Sequence, residues 1–192
     1  KMLLLFAIIL KKLNVLLIGF GNLGYRHFQS ILNDFTNAKF YIIEPEINNI
    51  KNFIEKDYDF NDLSKKLIVS NLVEEFKNID FNLCVVSTPS LPRLDILKKI
   101  LDFNIELIIL EKLLFPSHNY YEKLVNNISA FPNNIFVNCP KTEYSFYSNI
   151  QKKINNNQKV NIICSNILDI GSNSIHWIDL AYFLTGRKID IK

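Results

Sequence analysis

Cysteine is scarce in this chain, and the three present form no pattern. Cys84, Cys139 and Cys164 are odd in number and show no C-x-x-C spacing among the 192 residues. Neither a disulfide framework nor a thiolate zinc site follows, and a reducing compartment, the cytoplasm, is the expected location. Histidine is equally sparse: His27, His118 and His176 lack a clustered ligand spacing, so no metal is expected. Long hydrophobic runs are missing too. The apolar leader Lys1–Leu10 (KMLLLFAIIL) falls far short of the about 20 residues a membrane span needs, and no membrane partner is expected. After Lys1 it mimics the core of a signal peptide, but no small-x-small cleavage site follows. It reads as an extra apolar segment docked on the domain, or as a non-native leader. Nor does charge of one sign accumulate. The net charge of +3 comes from scattered lysines, which excludes a nucleic-acid surface, and asparagine patches such as Asn155-Asn156-Asn157 read as surface turns.

What is abundant is core-forming material. Hydrophobic residues make up 48% and charged residues 21%, the balance of a globular protein. Short apolar runs alternate with helical stretches, the signature of an α/β, Rossmann-type doubly wound parallel sheet. Strands are expected near Asn14–Ile18, Lys39–Glu44, Leu67–Ser70, Phe81–Ser87, Ile105–Leu110 and Ile135–Asn138. The helices between them are expected near Asn22–Asn33, Ile47–Lys56, Leu72–Lys77, Leu91–Phe103 and Ser117–Ala130. The remainder reads as a helix Glu143–Asn155, a strand Lys159–Cys164 and a helix Asn173–Leu184. The implied division is a leader (1–12), a dinucleotide-binding domain (13–140) and a short, incomplete α+β segment (141–192). Roughly 50 residues cannot bury an adequate core alone, so the last piece leans on the first domain or on a partner.

Glycine is rare, with 5 in the chain, and three of them stand in Gly19-Phe20-Gly21-Asn22-Leu23-Gly24, directly after an apolar run. Strand, glycine turn and helix in that order suit a dinucleotide pyrophosphate. Gly19 permits the tight turn, Gly21 lets backbone approach phosphate, and Gly24 allows close packing of helix on strand. The helix N-terminus then presents free N–H groups and partial positive charge.

Glu44 closes the second expected strand about 20 residues beyond Gly24, where an acidic side chain accepts hydrogen bonds from the adenosine ribose. With Pro45-Glu46 following, a 2′-phosphate would be repelled, so NAD is favoured over NADP. A solvated strand-end carboxylate is the competing reading. Ser87-Thr88-Pro89 falls at the carboxyl end of the fourth strand and suits both a cofactor wall and a helix start. Glu111-Lys112 follows a buried strand. A partly desolvated Lys112 there can exchange a proton with a substrate hydroxyl, while a lysine reaching into solvent is the alternative. His176 and Asp179 lie three apart, hence on one face of a helix whose Ile175, Ile178, Ala181 and Tyr182 form an apolar stripe. His176 suits a general base oriented by a carboxylate, and equally a structural histidine.

Together, GFGNLGYRH (Gly19–His27), STP (Ser87–Pro89), LEKLL (Leu110–Leu114), VNCPK (Val137–Lys141) and IHWIDLAYFLTG (Ile175–Gly186) resemble the Gfo/Idh/MocA family of NAD(P)-dependent sugar and polyol oxidoreductases. The resemblance implies cofactor contacts from Gly19, Phe20, Gly21, Asn22, Leu23, Gly24, Glu44, Ser87, Thr88, Pro89, Glu111 and Lys112. It implies catalysis by Lys112, which matches the lysine of the family's Glu-Lys-Pro motif, and by His176, which matches the histidine facing the substrate hydroxyl. The substrate it implies is a sugar or nucleotide-sugar, as used in surface polysaccharide synthesis, and it allows a homo-oligomer. The chain departs from the pattern in four places. Leu113 replaces the motif's proline, Ser172 stands where an aspartate is frequent with Asp169 out of register, and Arg93 occupies a position often held by histidine. The fourth is length: family members continue into a sizeable open substrate sheet, and this sequence runs six residues past Gly186. A catalytically silent NAD-binding module, remnant or interaction subunit, is therefore the alternative to an enzyme. A nucleotide-sensing domain leaves LEKLL and IHWID without a purpose.

Overall fold

Leu16 and Ile18 point to one side of strand β1 (Asn14–Ile18), Val15 and Leu17 to the other, and all four are buried. A strand covered on both faces has no solvent side, which is why its sequence is a continuous apolar run. The computed structural model describes residues 13–125, 135–154, 160–163 and 170–186. Five further strands join β1 in one parallel sheet: β2 (Lys39–Ile43), β3 (Leu67–Ser70), β4 (Leu83–Val86), β5 (Ile108–Leu110) and β6 (Ile135–Val137). Their order is β3-β2-β1-β4-β5-β6. This is the doubly wound arrangement, in which the winding reverses between β1 and β4 and opens a crevice at the carboxyl ends.

Helices cover both faces. On one, α1 (Asn22–Asp34) buries Tyr25, Phe28 and Leu32, and α2 (Ile47–Ile54) buries Ile50 and Ile54, against Val15, Leu17, Phe40 and Ile42. The Phe28 ring lies 4.6 Å from that of Phe40 and 5.5 Å from that of Phe20. On the other face α4 (Arg93–Ile100), which follows the short α3 (Phe60–Ser64), packs Leu94, Leu97 and Ile100 on Leu16, Ile18, Cys84 and Val86. Each such fully buried apolar side chain contributes about 1.5–3 kcal/mol. Helix α5 (His118–Val125) precedes β6.

Burial also sets cysteine chemistry. Cys84 is fully buried and desolvation holds its thiol far above the usual range, whereas Cys139 is partly accessible. Iodoacetamide is expected to alkylate Cys139 in the native protein and to reach Cys84 only after unfolding. Peptide mass spectrometry checks this, and fast labelling of native Cys84 would contradict the packing.

The elements differ from expectation chiefly at their ends. β4 begins at Leu83 and β5 at Ile108, because Phe81 and Ile105 meet only in an isolated bridge. The segment expected as helix Leu72–Lys77 is one 3₁₀ turn, Val73–Phe76. Helix α3 was not anticipated. Its signal is Asp59, whose side chain accepts from the Asn61 amide at 2.8 Å, an N-cap on a helix too short to show periodicity.

The chain folds as two compact units divided between Val137 and Asn138. In the second, a 3₁₀ turn (Pro140–Glu143) leads to α6 (Ser145–Gln151), and α7 (Ile170–Thr185) follows. Gln151 Nε2 donates to the Phe183 carbonyl at 2.6 Å, and the Lys141 ammonium sits 4.1 Å from the Trp177 ring centre. Helix α7 ends at Gly186, whose φ of +62° lets its amide cap the Tyr182 carbonyl at 2.7 Å. The expected stripe on α7 is shifted: Leu180 and Leu184 are buried, and Tyr182 is 55% exposed. Residues 160–163 of the expected strand Lys159–Cys164 are not in a strand. The leader, Cys164 and Asp169 lie outside the described residues. Among the described residues no helix is long and apolar enough to cross a membrane, and no cluster of metal-ligating side chains occurs.

Candidate functional site

Ile18 pairs with Ile43 on one side and Val86 on the other, and Val86 pairs in turn with Leu110. The residue after each therefore stands in one row at the carboxyl edge of the sheet: Gly19, Glu44, Ser87 and Glu111. Backbone pairing continues into this row. Gly19 N–H donates to Ile43 O and Ser87 N–H to Ile18 O, both at 2.9 Å, and Glu111 N–H to Val86 O at 3.1 Å. All four residues were singled out from sequence, and the register brings them together.

The glycine turn packs against the end of β4. Gly19 has φ +89°, a left-handed conformation open to glycine, and a Cβ there would lie 3.2 Å from both the amide and a methyl of Thr88. A Cβ on Gly24 would lie 2.1 Å from the Gly19 carbonyl oxygen, a distance no packing tolerates. Ser87 Oγ donates to that same oxygen at 2.7 Å, locking turn to strand. Gly21 is different: a Cβ there would meet nothing within 4 Å. It forms the N-cap of α1 without a side-chain bond, and the first turn carries no acid. The amide groups of that turn are left for an anionic ligand.

Beside the turn opens a cavity of about 650 Å³. Gly19, Gly21, Glu44, Ser87, Thr88 and Pro89 line it, with Ile43, Leu72, Val73 and Ile96 forming an apolar wall. Glu44 Oε2 accepts from the Phe20 amide at 2.7 Å and Oε1 from the Glu46 amide at 3.1 Å, so its carboxylate is held at the cavity edge. Thr88 Oγ1 is buried with no hydrogen-bond partner among the described residues. Glu74 and Lys99, both lining residues, pair at 2.8 Å, and the ammonium holds the Glu74 carboxyl below its ordinary range. The Phe20 side chain points into the core, so only its backbone faces Glu44. Asn22 and Leu23 are exposed at the start of α1 and do not line the cavity.

Glu111 and Lys112 lie outside that cavity lining. Lys112 is half-buried and its peptide bond to Leu113 is cis. Glu111 is 3% exposed, and its Oε1 lies 2.7 Å from His27 Nε2 of α1. His27 stands within the GFGNLGYRH run, whose pattern gives it no role of its own. Three residues past Gly24 on a helix, it carried no signal of its distant partner. Arg93 was noted only as a departure from pattern. It is buried, and its guanidinium donates to the carbonyls of Thr88, Glu111, Leu113 and Leu114. Desolvation pulls its pKa down and the Glu111 charge opposes that.

In the second unit, His176 and Asp179 are half-buried on α7. Burial raises the Asp179 carboxyl above the usual range and the His176 charge works the other way. His176 stands in the i, i+4 row with the buried Leu180 and Leu184, an orientation that the expected stripe had assigned to its neighbours.

No family model matches this chain, and no curated protein does. Solved structures do. Myo-inositol dehydrogenase from Lactobacillus casei, in complex with NAD(H) and myo-inositol, superposes with a TM-score of 0.72 at 18% identity, covering 92% of this chain and 55% of that one. Scyllo-inositol dehydrogenase from the same organism, with NAD(H) and scyllo-inositol, gives 0.67 at 16% identity, covering 94% and 58%. The super-repressor mutant of Gal80p from Saccharomyces cerevisiae gives 0.67 at 13% identity, covering 91% and 53%. This chain thus spans little more than half the length of the solved proteins it matches. At such identities the likeness is one of fold, and the Rossmann-type architecture expected from the sequence is the one found.

Proposed function

We propose that this chain is the dinucleotide-binding part of an NAD-dependent oxidoreductase that acts on a hydroxyl or carbonyl of a polyol, sugar or nucleotide-sugar. The observation that carries the reading is the glycine turn with Glu44 pinned beside it at the mouth of an apolar cavity. A pyrophosphate fits the α1 amides, a ribose diol fits the Glu44 carboxylate, and an adenine fits between the apolar side chains. Inositol dehydrogenases of the same fold were solved with NAD(H), which supports the cofactor and the class of substrate. The motifs from LEKLL to IHWID support the Gfo/Idh/MocA resemblance.

Bound NAD supplies the hydride acceptor. In this reading Lys112 polarises the substrate oxygen and His176 takes the hydroxyl proton, returning it in the reverse direction. Glu44 selects against a 2′-phosphate by charge. Glu44→Ala is expected to weaken NADH binding about tenfold to a hundredfold, the range for a hydrogen bond to a charged group. It should narrow the gap to NADPH in the same titration. Fluorescence titration with both nucleotides measures it, and unchanged NADH affinity would remove Glu44 from the site.

A second reading, a binding module that holds NAD without turnover, is favoured by the repressor among the neighbours of this fold. Calorimetry with NADH followed by a polyol and sugar oxidation screen separates the two. Binding with turnover supports the enzyme, and binding without it supports the module.

A further inference from the structure

Arg93 stands among the largest fully buried side chains of the molecule, yet its hydrogen-bond partners are carbonyl oxygens on two separate loops. One guanidinium nitrogen, Nη2, donates to Thr88, which lines the cavity. The other, Nη1, donates to Glu111, Leu113 and Leu114, the carbonyls on either side of Lys112. The residue before Lys112 is held a second time, by His27 on the Glu111 carboxylate at 2.7 Å. His27 belongs to α1, the helix that begins at the glycine turn. Both parts of the cavity wall, the turn with its helix and the Thr88 loop, are thus bonded to the segment that carries Lys112.

We infer that Arg93 and His27 are positioning residues that couple occupancy of the cavity to the placement of Lys112. The inference rests on the proposed function, in which the dinucleotide fills the cavity and Lys112 serves the substrate. The chemistry favours arginine for this task. A guanidinium is a rigid fork of five N–H groups whose separated nitrogens reach two loops at once, while an ammonium radiates its three donors from a single atom. Arg93→Lys therefore keeps the charge and removes the bridge.

ADP-ribose is the appropriate probe, since it fills the cavity and lacks the nicotinamide that would touch the Lys112 region directly. Hydrogen exchange is followed by mass spectrometry on the full chain, with and without saturating ADP-ribose. In the wild type, exchange is expected to slow severalfold both at residues 87–91 and at residues 111–115. In Arg93→Lys the first segment keeps its protection and the second loses most of it. His27→Leu, at a partly exposed site, removes the ring nitrogen that faces Glu111 and is expected to lose about half of it. A purely structural arginine would alter exchange with and without ligand alike and leave the ligand-induced difference intact. Ligand-induced protection of 111–115 that persists in both variants overturns the coupling; should Arg93→Lys not fold, His27→Leu alone decides. Absence of ADP-ribose binding by the wild type would instead remove the proposed function, and this inference with it.

Discussion

Gly24→Val is expected to abolish dinucleotide binding and to lower the melting temperature by roughly 6–12 °C. The new Cβ would stand 2.1 Å from the Gly19 carbonyl oxygen and 2.8 Å from Ser87 Oγ. The first of these is backbone, so helix α1 and the turn must part. Overpacking of this kind costs up to about 3 kcal/mol, and each kcal/mol is worth about 2–4 °C in a chain of this size. Better helix propensity of valine over glycine, a few tenths of a kcal/mol, does not offset it. Gly21→Ala supplies the contrast. Its Cβ meets nothing within 4 Å, so the melting temperature should hold while affinity for NADH falls, because the methyl intrudes on the face where phosphate would sit. Calorimetric melting and NADH titration of the two variants test the pair. Wild-type stability and affinity in Gly24→Val would show that the turn is not packed this way.

Replacing Lys112 by Met and His176 by Gln should each lower kcat about 10²–10⁴-fold if these groups carry the proton chemistry. The double variant should fall little further than the worse single, since residues acting as a unit are not additive. NADH affinity of His176→Gln should stay within about threefold of wild type, because the hydroxyl proton, and not the dinucleotide, is its proposed partner. The measurement is steady-state turnover on a polyol and sugar panel alongside NADH titration. Full turnover by the double variant would end the assignment.

The glycine turn and the Glu44 edge of the candidate site were legible because their signals are local. Gly19, Gly21 and Gly24 need only a strand before them and a helix after them, and Glu44 needs only a count along the chain. Strand ends were less legible, as at Phe81 and Ile105, because pairing stops where the partner backbone diverges and no single segment encodes that. The face of α7 was misassigned for a similar reason. A helix that is apolar nearly all round offers several stripes, and burial of Leu180 and Leu184 was decided by neighbours and not by period.

By itself the sequence determined the alternation of elements, the doubly wound class and the position of the glycine turn. Each follows from burial on both faces of a strand and from conformations that only glycine adopts freely. Tertiary structure alone decided that Gly19, Glu44, Ser87 and Glu111 share one edge, since register across parallel strands is set by pairing between distant segments. It alone brought His27 to Glu111, 84 positions away, and spread Arg93 across two loops. A buried charge must find its partners wherever the folded backbone leaves carbonyls unpaired, and no spacing along the chain announces where that will be.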